Sequence, residues 1–255
     1  MNFIIELKKR NQLLYWFSLF NLVGAIICIP FSLVDDTIVL GINAWIKPLK
    51  FFLSSVIFSV TMGWFMYHLA KQKAVIIFSW VVILILTFEN SIIVWQAANG
   101  RLSHFNISNS FYGLLFSLMG IAITIMTLWT LYIGILFIRQ KKFNVPKQYV
   151  LAIRISILFF VFYAFVGGVM AAKLSHTIGG DMSTSKGLPI LNWSRQFGDI
   201  RVAHFFGMHS LQILPLVGFY IAKSKKAVVL ISVVYFILVT TVLLQALNAM
   251  PFIKL

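Results

Sequence analysis

Charge is the scarcest thing in this sequence, and acid is the scarcest part of the charge. Of 255 residues, 11% are charged, and only 6 are Asp or Glu against 21 Lys and Arg. An ordinary soluble domain carries about 25% charged residues. So little polar surface cannot cover a chain that is 60% hydrophobic and holds 25 Phe, which excludes a soluble globule of this size. Hydrocarbon as solvent removes the conflict, because apolar side chains can then face outward. The net charge of +15 does not point to nucleic acid. The Lys and Arg residues stand in short clusters between long apolar runs, not along one face of a folded domain. Clusters of that kind are what the positive-inside bias and anionic headgroups produce.

Other absences narrow the chemistry. The one cysteine, Cys28, cannot close an internal disulfide, and inside an apolar run it is expected to be a small buried residue. There is no Cys-x-x-Cys, no P-loop and no Gly-x-Ser-x-Gly, so thiol-redox, phosphate-loop and serine-hydrolase chemistries have no motif. The last apolar run has no lysine in its middle, which leaves a retinal Schiff base of the rhodopsin kind without a site. Lys8-Lys9-Arg10 precedes an apolar stretch from Leu13 to Val34. That is longer than the roughly 7–15 residues of a signal-peptide core, so a retained first helix is expected.

What is present is length. Seven stretches reach the ~20 mostly apolar residues that a spanning helix needs: 13–34, 49–70, 74–98, 110–138, 149–172, 200–222 and 227–248. The runs are continuous, without period-2 alternation, so helices are expected and not a barrel. The fold class is therefore all-α, a polytopic transmembrane bundle of about seven helices, in one integral membrane domain over residues 1–255. No internal repeat is evident by inspection. The longest connection, 176–199, carries Gly179-Gly180, Asp181, Ser183, Thr184, Ser185, Pro189 and Trp193. A loop of this length is either functional or a disordered crossover, and Trp193 suits the headgroup level. Placing the N-terminus in the cytoplasm puts Lys8, Lys9, Arg10, Lys71, Lys73, Arg139, Lys141, Lys142, Lys147, Lys223, Lys225 and Lys226 inside. Lys47, Lys50, Arg101, Lys173, Lys186, Arg195, Arg201 and Lys254 then lie outside. That excess favours N-terminus in and C-terminus out.

With this orientation the buried polar groups gather in the outer half. Glu89 lies about 14 Å below the outer end of the third span, with Gln96 about 20° away around the helix. Arg201, His204, His209 and Gln212 share an arc of roughly 140° on the sixth. Such stripes are expected to face the bundle interior. A carboxylate in hydrocarbon must pair, bind a cation or take up a proton. Glu89, His204 and His209 are therefore the expected catalytic or proton-transfer groups. Gln96, Arg101, His104, Asn106, Arg201, Gln212 and Lys50 are the expected contacts to a lipid or small-molecule ligand. A metal on Glu89, His204 and His209, or a haem, stays open, although histidines five apart on a helix diverge by about 140° and do not chelate one ion easily. The inner half reads as apolar. Lys47 and Lys50 taken alone fit snorkelling side chains at a helix end.

Three blocks carry a resemblance: ENSIIVWQAANGRLSHFN at Glu89–Asn106, GDIRVAHFFGMHSLQILP at Gly198–Pro215 and GINAWIKPLKFF at Gly41–Phe52. Together they resemble a group of uncharacterised bacterial multi-pass membrane proteins. The resemblance implies a bacterial inner (cytoplasmic) membrane and no particular activity. The metal-dependent seven-helix membrane hydrolases, such as alkaline ceramidases and adiponectin-receptor-like proteins, share helix number and histidine–carboxylate chemistry. This sequence departs from them in lacking an H-x-x-x-H on a late helix, so the comparison is analogy alone. Three functions stay open: a membrane-embedded enzyme acting on a lipid or other apolar substrate, a proton-coupled transporter or channel using Glu89 and His209, and a structural or assembly protein. Oligomeric state is not legible in the sequence.

Overall fold

A computed structural model of the chain describes residues 3–183 and 187–254. Thr184, Ser185 and Lys186, weighed above in the long loop and the charge bias, lie outside the described residues. The helices are α1 (Phe3–Arg10), α2 (Gln12–Val34), α3 (Ile46–Met66), α4 (Gln72–Ala98), α5 (Ser110–Arg139), α6 (Lys147–Lys173), α7 (Ile200–Tyr220) and α8 (Lys225–Leu247). Two short antiparallel ribbons sit in loops, β1 (Ile38–Val39) with β2 (Ile42–Asn43), and β3 (Thr177–Ile178) with β4 (Gly198–Asp199). Seven of the helices, α2 to α8, are long and apolar enough to cross a membrane. Their exposed sides are rows of large apolar residues, such as Phe20, Val23 and Ile27 on α2 and Leu230, Val233 and Ile237 on α8, surface that hydrocarbon covers without penalty. The chain is an all-α, multi-pass membrane protein.

The span boundaries follow local chemistry. Asn11 caps α2 by accepting from the amide of Leu14, and Ser224 caps α8 by accepting from that of Ala227. The second span starts at Ile46, earlier than expected, because Pro48 lies within the first turn, where no N–H is needed. Pro146 stands just before α6 in the same way.

The chain divides into two compact units, 1–129 and 130–255. In the first, α2, α3 and α4 pack on one another and α1 lies against α2 and α3. In the second, α6, α7 and α8 pack on one another, α6 against α7 most extensively. There the approach is set by small residues: a Cβ on Gly207 would fall 1.9 Å from Tyr163, and one on Gly218 2.6 Å from Ala152. Close backbone approach through small residues is the usual way to pack helices where lipid removes the hydrophobic drive between them.

The two units share a plan that the sequence did not disclose by inspection. Each runs helix, ribbon-bearing loop, helix, helix, with the same three helix pairs in contact. Lys73-Ala74-Val75, Ser79 and Thr87 of α4 recur in α8 as Lys226-Ala227-Val228, Ser232 and Thr240 at the same spacing. The buried residues of α8 are Val228, Ser232, Val239 and Ala246, spaced as Val75, Ser79, Leu86 and Ile93 are on α4. In that register the counterparts of Glu89, Asn90 and Gln96 are Val242, Leu243 and Ala249.

Candidate functional site

In the first unit, the buried side of α4 is a heptad seam: Val75, Val82, Glu89 and Gln96 alternate with Ser79, Leu86 and Ile93. Glu89 and Gln96 thus occupy positions where the pattern calls for apolar residues. They are 3% and 2% exposed. Glu89 Oε1 and Gln96 Oε1 are buried without a hydrogen-bond partner. Next to Glu89, Asn90 is tied to two other helices. Its Nδ2 donates to Asn21 Oδ1 on α2 at 2.9 Å and to Ser55 Oγ on α3 at 3.1 Å. Asn21 Nδ2 in turn donates to the Phe17 carbonyl, and the Ser55 hydroxyl to that of Phe51. Asn21 must therefore present its oxygen, which fixes the Asn90 amide with its nitrogen inward. Asn90 Oδ1 is left buried and unpartnered, as is the hydroxyl of Ser59 one turn along α3 from Ser55.

The same end of this unit carries Lys47 and His104. Lys47, in the first turn of α3, acts electrostatically on both Glu89 and His104. The His104 ring packs on Phe51 (centroids 5.4 Å apart) and its Nδ1 lies 3.2 Å from the Ser103 hydroxyl. Burial first, and the Lys47 ammonium second, push the imidazole well below its ordinary pKa, so the ring is neutral at physiological pH. Beside it, Arg101, Asn106, Leu102, Ser108, Asn109 and Tyr112 line an open pocket of about 370 Å³. Arg101 lies over the Tyr112 ring at 5.0 Å. The Asn106 carboxamide is used locally, donating to the Leu102 carbonyl and accepting from Ser108. Lys50 is half-buried on α3.

Polar groups also continue away from this end, along the helices toward Arg10. Asn11 Nδ2 donates to Ser79 Oγ at 2.9 Å, so the rungs Asn11–Ser79 and Asn21–Asn90 join α2 to α4 about 15 Å apart along the helices. Ser18 and Ser59, both buried, fall between them. Beyond Asn11, Arg10 pairs with Glu6 at 2.9 Å and meets His68 Nε2 at 3.3 Å. The expectation of an apolar inner half does not describe this unit.

In the second unit most of the polar residues pair with one another, and Arg195 Nε and Ser232 Oγ are buried without a partner. Asp199, whose side chain is fully buried, receives the Arg201 guanidinium at 2.9 and 2.6 Å and accepts from the amides of Arg201 and Ser194. Arg201 also donates to the Asn192 carbonyl. The clamp folds the long loop onto the start of α7, helped by the β3–β4 pairing and by Gly198, where a Cβ would meet the Ala246 carbonyl at 1.9 Å. Trp193 is 8% exposed and packs on Phe205, Phe206 and Phe252. On α7 the buried side is Val202, Ala203, Gly207, Ser210, Leu211, Leu214 and Gly218, and the stripe of Arg201, His204, His209 and Gln212 lies off it, half-buried. His204, at the stripe's edge, places Nδ1 2.7 Å from the Tyr163 carbonyl on α6. His209 Nδ1 meets Gln212 Oε1 at 3.1 Å and its ring lies on Phe205.

The expected residues therefore fall into two groups. Glu89, with Lys47 acting on it, and Gln96 and His104 belong to the first unit; Arg201, His204, His209 and Gln212 belong to the second. Among the described residues, no three His, Cys, Asp or Glu side chains are grouped to hold a metal ion. Asn90, Asn21 and Asp199 were not anticipated. Asn90 was findable as a polar residue beside Glu89 in an apolar run, whereas Asp199 hid in a loop. Comparison of the chain with protein families, with curated proteins and with solved structures finds no match in any of the three.

Proposed function

We propose that the chain is a bacterial inner-membrane carrier in which Glu89 exchanges a proton with a donor-bearing ligand, a small solute or a lipid headgroup, entering from the Lys47 end. N-terminus inside, as the Lys and Arg bias favours, turns that end outward. The observation that carries the reading is the Glu89 carboxyl: buried in a membrane helix, with Oε1 unpartnered. A carboxylate so placed takes a proton or a cationic partner. The neighbouring oxygens of Gln96 and Asn90 also lack donors, so the site asks for a ligand that donates hydrogen bonds. Gln96, His104 and Lys47 are the proposed ligand contacts, and Arg101, Asn106 and Lys50 belong to the proposed approach. The enzyme reading with Glu89, His204 and His209 has less support, because both histidine rings already have hydrogen-bond partners within their own unit.

Infrared spectroscopy of the full chain in lipid nanodiscs tests this. A protonated-carboxyl C=O band is expected that bleaches on alkalinisation, is missing in Glu89→Gln, and shifts when amines or phospholipid headgroups bind. A spectrum in which wild type and Glu89→Gln are identical rejects the reading.

A further inference from the structure

Resting on that reading of Glu89, we infer that the first unit is also its proton supply: a hydrated polar thread runs from the Arg10 end, past Asn11–Ser79 and Ser18–Ser59, to Asn90 and Glu89. Three observations carry it. First, the polar residues lie at successive heights on three packed helices and are buried throughout: Asn11, Ser18 and Asn21 on α2, Ser55 and Ser59 on α3, Ser79 and Asn90 on α4. Second, the distance is short. Ser79 and Asn90 are separated by about 16 Å of helix rise, which about six hydrogen-bonded water or hydroxyl oxygens would span. Third, the middle and top of the thread hold the unpartnered acceptors Ser59 Oγ, Asn90 Oδ1 and Glu89 Oε1. Buried polar groups in that state are where ordered waters bind.

Asn90 is fixed by its two donated bonds, so it holds a water without relaying a proton itself. Ser18, Ser55 and Ser79 donate to the Tyr15, Phe51 and Val75 carbonyls, so they too hold water in place; the water chain and the unpartnered Ser59 hydroxyl carry the proton, each oxygen accepting one and passing one on. The Glu89 carboxylate takes the last proton and becomes the neutral acid; loss of that proton to the ligand at the Lys47 end restores the carboxylate. The titratable and charged groups facing the thread are Lys47 and His104 at one end and Glu6, Arg10 and His68 at the other. The second unit offers no such thread, having Val242, Leu243 and Ala249 where the first has Glu89, Asn90 and Gln96.

The full chain in liposomes loaded with a pH-sensitive dye, driven by a potassium diffusion potential, gives the measurement. Proton entry above that of protein-free liposomes is expected, at least tenfold lower in Glu89→Gln, partly restored in Glu89→Asp, reduced in Ser59→Ala and unchanged in Ser232→Ala. Wild-type entry no faster than protein-free liposomes, or a Glu89→Gln rate equal to wild type, overturns the thread. If flux is absent while the Glu89 infrared band still titrates, the thread fails and the ligand site stands; loss of the band as well removes both.

Discussion

The two units start from one plan and differ in which of their buried polar groups are answered. In the second, most polar groups are answered, Asp199 by Arg201 and Ser194, His204 by Tyr163, His209 by Gln212, Tyr163 by Thr240 and Tyr235 by the Phe206 carbonyl, while Arg195 Nε and Ser232 Oγ are buried without a partner. In the first, Glu89, Asn90, Gln96 and Ser59 each keep an acceptor without a donor. Buried polar groups that satisfy one another fix a packing arrangement. Buried groups left unsatisfied cost free energy, and persist where something else binds them. On the reading proposed above, the cluster around Glu89 carries the chemistry and the Asp199 clamp the architecture.

That contrast can be broken most directly at Asp199. Replacing it by Asn strands Arg201 and is expected to cost about 3 kcal/mol, seen as a clear fall in thermal stability in detergent; an unchanged melting temperature would mean that the clamp is ornamental. Gly207→Leu comes next. It drives a side chain into Tyr163, and overpacking of this kind costs about 1–3 kcal/mol, measurable as loss of the folded fraction on size-exclusion chromatography.

The shared serines sharpen the comparison. Ser79→Ala orphans Asn11 and is expected to cost about 1 kcal/mol. Ser232→Ala removes a hydroxyl that has no partner and is expected to stay within about 0.5 kcal/mol of wild type. Equal effects in chemical denaturation would contradict the asymmetry.

A pH effect is smaller still. The folded-state pKa of His104 is depressed by burial, so below the ordinary histidine value of about 6.5 the unfolded chain binds more protons than the folded one. Stability contributed by the neutral ring is full above that value and falls as pH drops through it. His104→Gln should flatten the acid limb of the melting curve, and an unaltered limb would assign the effect elsewhere. Last, Glu89→Gln is expected to leave stability unchanged or slightly raised, the reverse of Asp199→Asn. A large loss would show that Glu89 is a structural group.

Much of the architecture was legible because a membrane span is written in contiguous sequence. All seven spans were found, most within a few residues of their ends, since length and hydropathy are local properties. The second span lies earlier than the 49–70 that hydropathy predicts, at Ile46–Met66, because Ile46-Lys47-Pro48 looks like a loop until Pro is placed in a first turn. The amphipathic α1 was missed, being eight residues and charged. Glu89 and Gln96 were legible from composition and period. Their neighbourhood was not: Asn90 meets Asn21 across 69 residues and Ser55 across 35, and no helical period encodes such pairings. Arg201 reads as a ligand contact in the sequence because nothing local marks Asp199, in the irregular loop before α7, as its partner. The shared plan is not legible in the sequence because the units keep burial spacing more than residue identity.

The two rungs between α2 and α4 have a mechanical consequence. Asn11–Ser79 and Asn21–Asn90 join helices that run in the same direction, at positions ten and eleven residues apart, and so act like two pins through a pair of rods. A slip of one helical turn, about 5.4 Å, would shear both pins together, leaving Asn11 Nδ2 without its acceptor and Asn21 Oδ1 without its donor. The two bonds therefore oppose piston motion of α4 past α2 and hold Glu89 at one height against α2. On the proposed reading, the proton comes and goes by turning side chains and exchanging water around a carboxyl that keeps its place.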